Sequence, residues 1–281
     1  MAWHQPPWQH PLALGTNPLR SVDTFTRTPH SFLLVFKAWQ DSVVNKNFTN
    51  IGFEDFIKLA ADPALSKYEK IGFPDGYRAG HERAIFADIG QKLSNLAKPA
   101  CRVLDIGPGC SDLPVMLIQQ CKDMGHALTL VDSQEMLDLL EDGPGIEKVA
   151  ALFPQCPELI ARLSGQVDAI LCYSVLQYAL IDTAMYRFLD LALQCLAPGG
   201  QLLLGDIPNV SKRKRFFASD AGIAFHRAFM QTNEAPEVTF NRIEFDQIDD
   251  AIVFSILQRA RAQGFDAYVL PQHPSLPMAN R

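Results

Sequence analysis

The 281 residues suffice for one large domain or a domain with an appendage, and 48% apolar against 20% charged side chains can build a sizeable core. A net charge of −6 excludes a general nucleic-acid-binding or anionic-membrane surface. No apolar run approaches the roughly 18 residues of a membrane span. The N-terminus lacks the basic start and apolar stretch of a signal peptide, and the six cysteines form no C-x-x-C pair. A cytoplasmic protein with reduced, mostly buried thiols and no zinc is expected.

Residues 1–30 show little periodicity and read as an extended arm. Segments 31–45 and 52–62 read as helices, with Phe32, Val35, Phe36 and Trp39 on one face of the first. Residues 71–76 form a turn. A helix is expected over 77–96, where Ile85, Phe86, Ile89 and Leu93 fall at helical spacing. Strand 102–106 is followed by helix 111–124, capped by Ser111, with Pro114 in the tolerant first turn and Gly125 as its stop. Strand 127–131, helix 133–141 and a weak strand at 146–152 come next. Strand 167–172 precedes helix 183–197, which carries Met185, Phe188, Leu189, Leu193 and Leu196 on one side and is expected to end at Pro198-Gly199-Gly200. Strand 201–205 ends in Asp206. A helix at 249–263 and a sixth strand at 266–271 complete the pattern. Alternating strands and helices predict an α/β fold, a doubly wound, mostly parallel sheet with helices on both faces and an N-terminal helical extension.

The most informative run is Val103-Leu-Asp-Ile-Gly-Pro-Gly109. An apolar strand ends in Asp105, and a turn with glycine at 107 and 109 leads into a helix. Glycine lets such a turn be tight and its backbone lie against a ligand, while the next helix directs N–H groups to the same spot. The following strand ends in Asp132, a carboxylate placed to hold ribose hydroxyls. A dinucleotide fingerprint requires a third glycine where this chain has Asp112, whose charge would repel a pyrophosphate. The pattern Asp105, Gly107, Gly109 instead resembles motif I of the class I S-adenosylmethionine (SAM) methyltransferases, with Ser111 where that family usually has a further glycine. Asp132, the strand at 167–172, Leu196-Ala-Pro-Gly-Gly200 and Gly264-Phe-Asp-Ala-Tyr268 follow in the family's order, so the resemblance covers about residues 99–271. That family adds an antiparallel seventh strand. Here nine or ten residues follow 271, two of them prolines, so the far sheet edge departs from the pattern.

The resemblance implies a domain at 99–281 that binds SAM, with an insertion at about 207–245, preceded by an arm and helical cap at 1–98. It implies that Asp105, Gly107, Gly109 and Ser111 face the methionine part of the cofactor, and that Asp132, with Ser133 nearby, holds the ribose. Phe153 is either an adenine contact or a core aromatic. Tyr173 and Gln177 fall where the family places residues near the transferred methyl. No acid follows strand 167–172 and Ile207 follows Asp206, so a catalytic metal is not expected. Lys212, Arg213, Lys214 and Arg215 form a cationic run in an acidic chain, either a solvated helix face or a clamp for a substrate anion. With Asp206, Gln177 and Tyr77, three of them (Lys212, Arg213 and Arg215) are the candidate substrate contacts. A hydroxyl acceptor would need a base, for which His226 and His81 are the candidates.

The expectation is a SAM-dependent methyltransferase of a small anionic acceptor, such as a phosphorylated or nucleotide-linked sugar, methylated at oxygen. No nucleic-acid or membrane partner is expected, and the N-terminal extension could join two copies of the chain. The rival readings are a nicotinamide-dependent oxidoreductase on a similar sheet and a non-catalytic SAM-binding scaffold.

Overall fold

The computed structural model describes residues 51–242, 244–273 and 276, without the side chains of Gly76, Tyr77 and Phe229. The arm at 1–30, the helix at 31–45 and the side chain of Tyr77 therefore lie outside the described residues. Five strands form one sheet: β1 (Arg102–Ile106), β2 (Ala127–Asp132), β3 (Ile146–Ala150), β4 (Val167–Tyr173) and β5 (Leu196–Gly205). Their order is β3-β2-β1-β4-β5, and every pair is parallel. Apolar strands that alternate with helices leave few other solutions, because each crossover must cover a sheet face.

The sheet buries two faces in two separate apolar clusters. On one face, Val103, Leu130, Ala169 and Leu171 pack under α4 (Glu82–Lys92), α5 (Asp112–Met124) and α6 (Gln134–Leu137). On the other, Leu104, Ile106, Ile170 and Cys172 pack under α7 (Pro157–Leu163), α9 (Met185–Cys195) and α12 (Asp250–Ala262). Alternate side chains of each strand serve opposite faces, as the pleat requires. Leu104 and Ile170 are wholly buried, and trimming such a residue to alanine costs about 2–5 kcal/mol. All six cysteines are buried and unpaired.

Ser111 caps α5 by accepting from the Leu113 N–H, and Gly125 ends it in the left-handed region, as the sequence predicts. The helix expected over 77–96 is instead broken into α3 (Asp75–Arg78), a turn, α4 and a 3₁₀ turn at Ser94–Ala97. Gly80, at φ +83°, takes a conformation that an α-helix does not contain. The helix predicted at 133–141 stops at Leu137. Pro198-Gly199-Gly200 does not end a helix: α9 stops at Cys195 and the three residues lie inside β5, at a register shift against β4. The sixth strand at 266–271 is not formed. Phe265 and Ala267 lean on the apolar cluster, while Tyr268, Val269 and Leu270 are exposed and join no ladder. Helices α1 (Phe53–Ala61) and α2 (Lys67–Lys70) precede α3. Also formed are α8 (Leu176–Asp182), α10 (Val210–Phe217) and α11 (Asp220–Met230). No helix among the described residues is long and apolar enough to cross a membrane.

Candidate active site

The chain leaves β1 through α5 on one face of the sheet and returns from β3 through α7 to β4 on the other. A crevice therefore opens outside the carboxyl ends of β1 and β4, where open α/β sheets bind ligands. About 960 Å³ of atom-free space, open solvent included, lies there. Its floor is Asp105–Gly109, Asp132 and Tyr173–Val175, and its roof includes Phe53, Phe56, Ile71, Phe73 and Arg78 from the N-terminal segment. Phe56 meets Tyr178 edge-on at 4.8 Å, which joins roof to floor.

The glycine turn is locked. Gly107 donates to the Val131 carbonyl at 2.9 Å and sits at φ +71°. A Cβ there would lie 2.6 Å from Val175 Cγ2, and one on Gly109 would lie 2.6 Å from Ile71 Cγ2. Side chains at either position would fill the crevice. Asp132 closes the unit: Oδ2 accepts from the Gly109 N–H at 3.0 Å and Oδ1 from Ser133 at 2.7 Å. Burial raises its carboxyl to about 6 even against those two bonds. Asp105, wholly enclosed beneath it, is pushed to about 8 by burial and by the neighbouring Asp132 charge. Asp112 does not enter the crevice: it receives a hydrogen bond from Tyr68 and pairs with Lys67.

A second polar group was legible only in part: Asp206 and Gln177 were expected substrate contacts, though neither lines the crevice itself. Arg78 is 3% exposed, stacks 4.3 Å from the Phe73 ring centroid and donates through Nη2 to Ser174 Oγ and to Asp206 Oδ2, the latter at 3.3 Å. Ser174 donates to Asp206 Oδ2 at 2.5 Å. Ser174 and Asp206 directly follow β4 and β5 and stand at φ +60° and +49°. Arg78 Nε and Gln177 Oε1 are buried without a hydrogen-bond partner among the described residues. Burial raises the Glu82 carboxyl, although Arg78 acts in the opposite direction. No motif marks these residues; Arg78 and Glu82 read as the polar face of a helix.

Of the residues expected at the site, Asp105, Gly107, Gly109, Asp132 and Tyr173 line the crevice. Ser111 and Ser133 are buried at the caps of α5 and α6. Gln177 turns its amide N–H back to the Ser174 carbonyl. Phe153 packs edge-on against Phe188 at 5.2 Å and presents its remaining surface to the crevice. The expected bases are not there. His81 sits at the start of α4, and His226, on α11, faces the Phe217 ring at 6.3 Å; neither lines the crevice. The cationic run of α10 does not line it either. Lys214 pairs with Glu244, Arg215 with Asp250, and Arg213 bonds Gln247. Lys212, which reads as a clamp residue in the sequence, starts α10 with its N–H capped by Asn209. Side chains of α10 and of the segment at 237–244 instead wall a separate pocket, with Arg213, Lys214 and Arg242 beside Glu237 and Glu244. No cluster of three or more metal-holding side chains occurs among the described residues.

No protein-family model and no curated protein matches the chain. Among solved structures it is similar to the CurJ carbon methyltransferase (15% identity, 87% of this chain and 68% of that one, TM-score 0.48). It is also similar to the 1,6-didemethyltoxoflavin-N1-methyltransferase of Burkholderia thailandensis, solved with S-adenosylhomocysteine (SAH) (17%, 92% and 88%, TM-score 0.40). A third is a candidate Zn-dependent alcohol dehydrogenase from Rhodobacter sphaeroides (15%, 67% and 85%, TM-score 0.40). Likeness at this level carries no functional argument, so the reading below rests on the crevice itself.

Proposed function

We propose that the chain is a SAM-dependent methyltransferase of the class I type. The observation that carries this is the joined unit of Asp105, the Gly107–Gly109 turn and Asp132 at the mouth of β1 and β2. The Asp132 carboxylate, which lines the crevice, suits a ribose diol, and the glycine backbone suits a chain laid flat across it. The buried Arg78 lines the same crevice, and its Nε suits the carboxylate at the other end of the molecule. When bound, the cofactor supplies an electrophilic methyl on a sulfonium, and the protein supplies alignment and a dry site. Phe53, Phe56, Ile71 and Phe73 exclude water from above.

The acceptor in this reading is a small hydroxyl compound that enters beside Tyr173–Tyr178. The finer reading, an anionic acceptor such as a phosphorylated or nucleotide-linked sugar, rests on the cationic run, of which Arg213 and Lys214 wall a separate pocket with Arg242, beside Glu237 and Glu244. The test is release of SAH from methyl-labelled SAM in the presence of monosaccharides, their phosphates and nucleotide sugars. Acceptor-dependent SAH release is expected; consumption of a nicotinamide cofactor instead would move the reading to an oxidoreductase.

A further inference from the structure

Two residues in left-handed backbone, neither of them glycine, stand at the ends of adjacent strands and bond to each other: Ser174 after β4 and Asp206 after β5. Such conformations cost on the order of 1–3 kcal/mol each and persist where the surroundings hold them, commonly at functional sites. Both side chains are buried, and Ser174 lines the crevice beside the glycine turn, as its neighbour Val175 packs against Gly107. A serine hydroxyl has one proton to give and two lone pairs. Here the proton goes to Asp206 and one lone pair takes the Arg78 N–H, while Ser174 itself lines the crevice.

We propose that Ser174 and Asp206 form a proton relay for the acceptor. This rests on the methyl-transfer reading above. As the acceptor oxygen forms its bond to the methyl carbon and the methyl–sulfur bond breaks, the acceptor proton passes to Ser174 Oγ and the serine proton passes to Asp206 Oδ2. The sulfonium charge and the carboxylate charge are both discharged, leaving a thioether, an ether and a neutral carboxyl. Ser174 is the catalytic residue, Asp206 the final proton acceptor acting through it, and Arg78 the positioning residue that holds both. The relay takes the role that His226 and His81, outside the crevice, do not fill.

The test uses the full chain with methyl-labelled SAM and a panel of monosaccharides, monosaccharide phosphates and simple phenols. The best wild-type acceptor is carried into Ser174→Ala and Asp206→Asn, with SAH titrated calorimetrically into each protein. Asp206→Asn is expected to lower kcat by roughly 10²–10⁴, with SAH affinity within about threefold of wild type. Ser174→Ala, which keeps the Arg78–Asp206 ion pair and so guards against misfolding of the first variant, is expected to lose at least tenfold in kcat by the same general-base argument. Retention of wild-type kcat in Ser174→Ala overturns the relay. A protein that binds SAH but methylates none of the panel overturns hydroxyl methylation and the relay with it. A protein that binds no SAH overturns the methyl-transfer reading itself.

Discussion

Asp132 reaches back from the end of β2 to accept the Gly109 N–H at 3.0 Å, so the acid of one strand and the glycine turn of its neighbour are one structural unit. The register places Ile106 beside Val131, and Gly107 continues the ladder by donating to the Val131 carbonyl. Substituting either partner should therefore disturb both.

Asp132→Ala removes a charged acceptor from a buried site, a loss of on the order of 1.5–3 kcal/mol, or about 10- to 150-fold in SAM affinity. The pH dependence follows from a carboxyl raised to about 6. Wild-type affinity for SAH should weaken as pH falls through 6, because the protonated acid is a poorer acceptor for the ribose hydroxyls. Asp132→Asn should bind weakly at all pH values and show no such inflection. Titration calorimetry between pH 5 and 8 separates the two.

Gly107→Leu should abolish cofactor binding, and Gly107→Ala should weaken it and destabilise the fold. The left-handed backbone alone costs a non-glycine residue about 1–2 kcal/mol, and the added Cβ meets Val175 at 2.6 Å. In Gly107→Ala with Val175→Ala the steric part is relieved and the backbone part is not. Thermal unfolding should show that partial recovery.

Breaking the Arg78–Asp206 pair should be costly. Its side chains are 3% and 0% exposed, and Arg78→Met takes a guanidinium away from a buried carboxylate, a loss of about 3–5 kcal/mol. Adding Asp206→Asn to that variant should restore part of the loss. Equal instability of the single and double variants in denaturant would show that the pair does not act as one unit.

The two buried acids set a stability trend with pH. Asp105 is raised to about 8 in the folded chain, against roughly 3.9 unfolded. Between these values the unfolded chain has released the proton and the folded chain still holds it. Stability must then fall as pH rises from about 4 to 8 and level off above. Asp105→Asn, which mimics the neutral acid, should flatten that slope. Urea unfolding at pH 4.5, 6 and 8 reads it directly.

Arg215→Gln should leave SAH affinity unchanged and cost at most about 1 kcal/mol of stability. Its partner is Asp250 and the pair is half-exposed. Arg213→Gln combined with Arg242→Gln tests the separate pocket, which both residues line: a raised KM for a phosphorylated acceptor supports an anion there, and unchanged acceptor kinetics refutes it.

Much of the sheet was legible because its strands are short apolar runs bounded by glycine, proline or an acid, as in Val103–Gly109. The caps Ser111 and Gly125 follow from local chemistry alone, and the structure keeps them. The acids at 105 and 132 were readable because they end strands at a known switch point. What failed depends on tertiary context. Pro198-Gly-Gly looks like a helix stop but forms the start of a bulged strand. Residues 266–271 have strand composition but join no ladder among the described residues, although β5 stands at the sheet edge. Arg78 and Glu82 read as solvated helix charges until the fold buries them, and no pattern announces that Ser174 and Asp206 adopt positive φ. The cationic run drew attention by its charge, yet Lys214 and Arg215 are occupied by acids from distant segments.

The central claim is that the Asp105–Gly109 turn and Asp132 form a SAM site. Calorimetric titration of the full chain with SAH and, separately, with NAD at pH 7.5 tests it most directly. The account predicts saturable, one-to-one SAH binding that Asp132→Ala weakens at least tenfold, with no comparable NAD binding. NAD binding without SAH binding, or SAH binding indifferent to Asp132→Ala, would contradict it.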